Sequence, residues 1–209
     1  MIIAIDGPAA SGKGTIARAL AAHLGLPHLD TGLLYRAVGA AALEAGVAFE
    51  DTAALAALAA GLDSARLDAE ALKAGPVGEA ASRVAAVPAV REKLLRLQKD
   101  FAGQRGGAVL DGRDIGTVIA PQAQLKIFVT ATPEARAERR YQELARRGEA
   151  VTFEQVLADI EMRDARDSGR ASAPLMRASD AVLLDNTGLD RDASIAAALA
   201  LVADRTGRS

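Results

Sequence analysis

The chain has 209 residues, half of them apolar, with only 3% aromatic residues and no Trp. That suits one domain of ordinary size with an aliphatic core, and it excludes global disorder. A formal net charge of −2 argues against a surface-wide nucleic-acid or membrane binder, and the lack of Cys excludes disulfides, zinc thiolates and thiol nucleophiles. The longest apolar stretch, around 53–62, falls well short of the ~18 residues of a membrane span. The start MIIAID has neither a basic region nor a full apolar signal region, so a cytoplasmic protein is expected.

Short apolar runs alternate with longer helical patterns, which predicts an α/β fold. Ile2–Ile5 reads as a buried strand ending at Asp6-Gly7, and Thr15–Leu24 as a helix stopped by Gly25. Residues 27–29 form a short second strand, and Asp30-Thr31 caps a helix running to about Ala45. Thr52–Ala60 is a further helix. Residues 63–78, with Gly75-Pro76 and mixed polarity, lack strand alternation and are expected to be irregular. Pro88 opens a helix with Val90, Leu94, Leu97 and Phe101 on one face. Ala108–Leu110 and Leu125–Thr130 read as strands. Thr132-Pro133-Glu134 starts a helix, and Thr152 with Gln155 forms a capping box for another. Residues 181–184 are a last strand, followed by a helix from Asp190. Five strands separated by helices predict a central parallel five-stranded sheet between helical layers, with right-handed crossovers. Ligands of such sheets lie beyond the C-terminal strand ends, so the loops after Ile5, Leu29, Leu110 and Thr130 matter most.

The first of these loops reads Gly7-Pro8-Ala9-Ala10-Ser11-Gly12-Lys13-Gly14-Thr15. It matches G-x-x-x-x-G-K directly after a strand and opening a helix, the P-loop context. Glycines let backbone N–H groups curl around phosphate oxygens, Lys13 bridges β- and γ-phosphates, and a hydroxyl ligates Mg²⁺. The hydroxyl residue is Thr15, because Gly14 intervenes. A G-K-G-T ending resembles nucleoside-monophosphate kinases, and no N-K-x-D guanine reader is present, so ATP is the expected nucleotide. In the second loop, LDTGLLYR, Arg36 stands one helical turn on, where its fork can reach a phosphate across the cleft. In the third, LDGRDIGT, Asp111 occupies the place of a carboxylate that organises Mg²⁺ and its waters, with Arg113 and Asp114 beside it.

The strings IDGPAASGKGT, LDTGLLYR, VLDGRDIGT and RDARDSGRASAPL, in this order and spacing, closely resemble the bacterial cytidylate (CMP) kinase family, from Ile2 to about Asn186. The resemblance implies a P-loop three-layer fold and ATP-dependent phosphorylation of CMP or dCMP, with Mg²⁺ as cofactor. It also implies an acceptor-binding insertion over 31–86, a lid over about 136–170, and a monomer whose partners are small nucleotides. Ser82, Arg91 and Asp114 match residues that recognise cytosine, and Arg36 and Arg113 match contacts to the acceptor phosphate. Thr31 and Tyr35 belong to the same acceptor set, Tyr35 as a packing residue. Arg163, Asp167 and Arg170 match a segment contacting the acceptor nucleotide, Asp167 near its sugar. Arg139 and Arg140 are expected on the ATP phosphates, and Lys13, Arg113, Arg163 and Arg170 form the expected catalytic set. Thr15 and Asp111 are the expected metal contacts, Asp111 through water. Between Arg36 and Ser82 the chain looks shorter than in enterobacterial-type members, whose insert carries a small antiparallel sheet.

The chemistry of the bases agrees. Cytosine offers an amino donor at N4, which an aspartate such as Asp114 accepts, while O2 and N3 need donors such as Arg91 and Ser82. Uracil would set its O4 against the carboxylate. An acceptor phosphate is already a nucleophile, so no general base is needed; in-line positioning and charge neutralisation are. Arg163, Arg166 and Arg170 are spaced to share one helical face. Arg136, Arg146 and Arg147 read as solvated surface charges, and His23 and His28 as structural. Two other readings stay open: a kinase for AMP, UMP or a metabolite such as shikimate, and a switch or ATPase that transfers only to water. A pure binding module is disfavoured by the complete Lys13, Thr15 and Asp111 set.

Overall fold

The computed structural model describes residues 1–64, 67–73 and 75–206. Its centre is strand β1 (Ile2–Asp6), whose Ile3, Ala4 and Ile5 are wholly buried. Around it, β2 (His28–Asp30), β3 (Ala108–Gly112), β4 (Leu125–Thr130) and β5 (Val182–Asp185) pair in parallel in the order β2-β3-β1-β4-β5. The register sets Ile5 beside both Asp111 and Ile127, so the strands end together at one edge. Helices α1 (Lys13–Leu24) and α8 (Arg191–Thr206) cover one face through Ile16, Leu20, Ala198 and Val202. On the other face, α5 (Pro88–Ala102) and a π-helical turn over Ile115–Ile119 pack on Ala4 and Leu110. The expected five-stranded parallel sheet is therefore present, with strand ends within two residues of those expected.

That π turn sits at the working edge. Ile119 and Ala120 donate to the carbonyls five residues back, at 3.2 and 2.7 Å. Asp6, the last residue of β1, fixes its start by accepting the N–H groups of Ile115 (2.8 Å) and Gly116 (2.7 Å). Burial raises the Asp6 carboxyl to about 6 in spite of those bonds. Widened turns of this kind frequently mark functional sites, and this one begins one residue after Asp114.

Two smaller clusters flank the sheet. The insertion after β2 is helical: α2 (Thr31–Glu44), α3 (Thr52–Ala60), a 3-10 turn (Ala71–Lys73) and α4 (Gly75–Ala85). With α5 they bury Leu34, Val38, Leu55, Val84, Val90 and Leu94. A Cβ at Gly39 would lie 2.9 Å from the Ala81 nitrogen, so α2 and α4 pack backbone to backbone there. Helix α4 corrects the irregular structure expected up to residue 78: Pro76 sits in its first turn, where a missing N–H costs nothing. Residues 65, 66 and 74 of that expected irregular segment lie outside the described residues. Among the described residues no strand lies between β2 and β3, and the insert carries helices and a 3-10 turn. The second cluster joins α6 (Pro133–Arg146) to α7 (Phe153–Gly169) through Ala137, Leu144, Val156 and Ile160. Both helices are capped as expected: Thr132 accepts from Ala135, and Thr152 and Gln155 exchange bonds of 3.2 and 2.9 Å. Among the described residues no helix is long and apolar enough to cross a membrane.

Candidate active site

A cleft runs over the C-terminal strand edge, between the insertion and the α6–α7 pair. Eight basic side chains and five acidic ones line it, in a chain whose net charge is −2. The loop after β1 forms its floor. Gly12 takes a left-handed conformation (φ 86°) at the start of α1, which turns the following backbone into the helix. Ala9, Ala10, Gly12, Lys13, Gly14 and Thr15 face the cleft, while Gly7, Pro8 and Ser11 are buried beneath and shape it. Lys13 Nζ folds back on the Pro8 carbonyl at 3.3 Å. Burial first, and then the Arg113 charge, lower its pKa to about 8.

The loops after β2 and β3 supply the opposite wall. Thr31 is buried with its hydroxyl donating to the Asp111 carbonyl (2.9 Å), so it ties the two loops together. Arg36 reaches the cleft from α2 and donates to the Leu72 carbonyl at 2.9 Å. Burial, followed by the charges of Arg163 and Arg140, lowers its pKa to about 10. Arg163 and Arg170 are lowered too, again chiefly by burial. Among the described residues, the buried Nε atoms of both have no hydrogen-bond partner, nor does the Ser11 hydroxyl. A Cβ at Gly78 would meet the Arg163 guanidinium at 2.6 Å, so the guanidinium lies against the bare backbone of α4. Arg113 donates to Asp167 at 2.8 Å. Burial opposes the charge of both, yet their attraction outweighs it: Arg113 is held above its ordinary value and Asp167 below.

Deeper in, Arg91 and Asp114 form an ion pair, both nearly buried. Burial raises the Asp114 carboxyl despite Arg91 and Arg170. The Arg91 guanidinium lies 5.6 Å from the centre of the Tyr35 ring, which packs beside the pair. Ser82 and Ala85 of α4 close this end of the cleft. This end of the cleft thus brings a guanidinium donor, a carboxylate acceptor and a hydroxyl together.

A divalent cation fits the other end. Asp111 is 2% exposed; one carboxylate oxygen contacts His28 Nε2 at 2.8 Å, and the other would lie 3.5 Å from a Cβ at Gly14. Gly14, Thr15 and Asp111 all line the cleft at this end. One carboxylate and one hydroxyl are hard oxygen donors suited to Mg²⁺, which uses few protein ligands and borrows the rest from phosphates and water. Among the described residues no group of three or more His, Cys, Asp or Glu forms a metal cage of its own.

Several expectations are revised. Arg136 is no solvated charge: it is 3% exposed, pairs with Asp164 (2.5 and 3.1 Å), and donates to the Ala9 carbonyl of the phosphate loop at 3.2 Å. Arg146 and Arg147 are exposed as expected, Arg147 against Glu70 at 3.2 Å. Of the two arginines expected on ATP phosphates, Arg140 lines the cleft, whereas Arg139 grips the loop after β5 through Asn186 and Leu189. Asn186 in turn donates to the Ser11 carbonyl at 2.9 Å, so Arg139 braces the phosphate loop from behind. Arg163, Arg166 and Arg170 do not share one helical face. Helix α7 ends at Gly169, Arg170 leaves it with extended backbone, and Arg166 turns to α4. His28 reaches the Asp111 carboxylate, because β2 pairs with β3 and sets His28 beside Val109; His23 is exposed on α1.

The burial of Arg136 carries a stability expectation. Arg136→Met would leave Asp164 unpaired and the Ala9 carbonyl without its donor, at a cost of roughly 2–4 kcal/mol. Thermal unfolding should show a Tm lower by about 5–10 °C, with a raised KM for ATP. An unchanged Tm would return Arg136 to the surface.

A parallel sheet in this order, with a phosphate loop after its central strand and a cationic cleft over its edge, defines a P-loop phosphotransferase. Residues 3–204 match the cytidylate kinase family. Cytidylate kinase of Xanthobacter autotrophicus is 65% identical over 209 residues, covering all of both chains. That of Azorhizobium caulinodans is 62% identical over 202 residues, 97% of this chain and 98% of its own. A crystal structure of an uncharacterized protein from Eubacterium ventriosum shares the fold, with a TM-score of 0.55 at 15% identity over 100% of this chain and 99% of that one. The chain belongs to the cytidylate kinase family.

Proposed function

We propose that this protein transfers the γ-phosphoryl group of ATP to CMP or dCMP, giving ADP and CDP or dCDP. The observation that carries the reading is the pairing of two features in one cleft. Lys13, Arg36, Arg163 and Arg170 are cations held below their ordinary pKa values largely by burial. Beside them lies the buried Arg91–Asp114 pair, complementary to one edge of cytosine. Clustered, desolvated cations are stabilised by polyanions, and the two phosphate chains of this reaction are such polyanions.

In this reading the phosphate loop and Lys13 hold the ATP phosphates, with Arg140 alongside. Arg36, Arg113, Arg163 and Arg170 hold the acceptor phosphate, and Asp167 faces its sugar. An oxygen of the CMP phosphate attacks the γ-phosphorus in line, the bond to the β–γ bridging oxygen breaks, and ADP leaves. Mg²⁺, held through Thr15 and a water on Asp111, would neutralise charge on the β- and γ-phosphates. Asp114 accepts from cytosine N4, while Arg91 and Ser82 donate to the ring acceptors; Thr31 and Tyr35 shape that pocket. Helices α2–α4 act as the acceptor insertion (31–86) and the α6–α7 segment (about 136–170) as a lid that keeps water out. In keeping with the family, we infer a cytoplasmic monomer.

ADP release should be measured with ATP·Mg²⁺ and CMP, dCMP, UMP, AMP, shikimate or no acceptor. Turnover is expected with CMP and dCMP at least 100-fold above the rest, on the order of what a hydrogen-bonding pocket achieves. Turnover led by AMP or shikimate would discard the base assignments. Equal turnover without an acceptor would make the protein an ATPase.

A further inference from the structure

Arg166 does not line the cleft, yet it touches a residue that does. One of its guanidinium nitrogens donates to the Ser82 hydroxyl at 2.8 Å. The same side chain forms a two-pronged pair with Glu79 at 2.9 and 3.0 Å, one turn before Ser82 on α4. Ser82 is 9% exposed and sits at the base end of the cleft near Arg91 and Asp114. Arg166 stands behind it on α7, where Glu79 fixes its orientation.

We propose that Arg166 is a positioning residue for base selection, which holds the Ser82 hydroxyl as a hydrogen-bond donor toward the cytosine ring. This rests on the reading of Ser82 as a base contact. A hydroxyl has two acceptor positions and one donor, and a guanidinium only donates. Arg166 therefore occupies an acceptor position of Ser82 and cannot take its proton. The adjacent positive charge aligns the hydroxyl dipole with its proton away from α7, toward the cleft, and polarises the O–H bond as hydrogen-bond chains do. A hydroxyl locked as a donor suits N3 or O2 of cytosine and opposes the N3–H of uracil. The Glu79–Arg166 fork also ties α4 of the insertion to α7, so the hydroxyl is set when those two segments are together.

The test compares wild type, Arg166→Met, Arg166→Lys, Ser82→Ala and the Arg166→Met/Ser82→Ala double variant, with kcat/KM for CMP and for UMP measured on each. Arg166→Met should lower kcat/KM for CMP roughly tenfold, the worth of one charge-assisted hydrogen bond, with UMP changed by less than about twofold. Arg166→Lys, which keeps a donor and a charge, should recover part of the CMP-to-UMP ratio. In the Ser82→Ala background, adding Arg166→Met should leave the ratio unchanged, because the two act through one hydroxyl. A strut that merely joins α4 to α7 would lower both substrates equally, and would still act without Ser82; either result overturns the inference alone. If Ser82→Ala leaves the ratio at its wild-type value, the base contact itself is wrong and the inference falls with it.

Discussion

Replacing Lys13 with Met is expected to lower kcat roughly 10²–10³-fold, the effect of removing one preorganised donor to developing charge. The same change should raise the Tm of the free protein at pH 7. The sign follows from the lowered pKa: at about 8 against an ordinary 10.5, the charged lysine is disfavoured by folding. Between pH 8 and 10.5 the folded chain binds fewer protons at this site than the unfolded one, so its stability rises with pH across that window. A thioether of similar length carries no such cost, and the gain in Tm should shrink toward pH 10. Activity runs the other way. Above pH 8 the free enzyme loses the charge that meets the phosphates, so kcat/KM for ATP should fall by up to tenfold per pH unit. Bound polyphosphate raises the lysine pKa again, so kcat at saturating ATP should hold to higher pH. A kcat/KM for ATP that stays level from pH 7 to 10 would place the lysine charge outside ATP capture.

What the sequence makes legible here is what depends on short spacing. The phosphate loop announces itself because glycines, lysine and hydroxyl must fall within nine residues between a strand and a helix. The strands are legible because apolar runs are interrupted by turn residues at each end. Helix α4 is not, since Gly75, Pro76, Gly78 and Ser82 are poor helix formers one by one; packing of Ala80 and Ala81 on Gly39 of α2 and burial of Val84 support the helix instead. Arginines are the hardest residues to place. Arg136, Arg139 and Arg140 lie within five residues on α6, yet one is buried under the phosphate loop, one holds the loop after β5, and one lines the cleft. A 100° step per residue decides which, and that depends on how the helix is seated against the sheet. The contacts of His28 with Asp111 and of Arg166 with Ser82 span 83 and 84 residues, so no local pattern encodes them.

The discrimination between bases should depend most on Asp114. Asp114→Asn keeps the shape but removes the charge and replaces one acceptor oxygen with a donor. Two partners lose at once: Arg91, buried against that carboxylate, and cytosine N4, which needs an acceptor. Breaking a buried, hydrogen-bonded charge pair costs about 2–5 kcal/mol, so kcat/KM for CMP should drop by roughly 10²-fold or more. UMP stands to gain, because its O4 can accept from the new amide where it formerly faced a carboxylate. The ratio of CMP to UMP should therefore collapse by more than the loss in CMP alone. Burial favours the neutral carboxyl, and Arg91 with Arg170 keeps the ionised form in reach; an Arg91→Met change should consequently raise the Asp114 pKa further and weaken CMP without improving UMP. Kinetics with both substrates on the two variants separate charge from shape. If Asp114→Asn lowered CMP and UMP in equal proportion, the carboxylate would be holding Arg91 in place and reading no base.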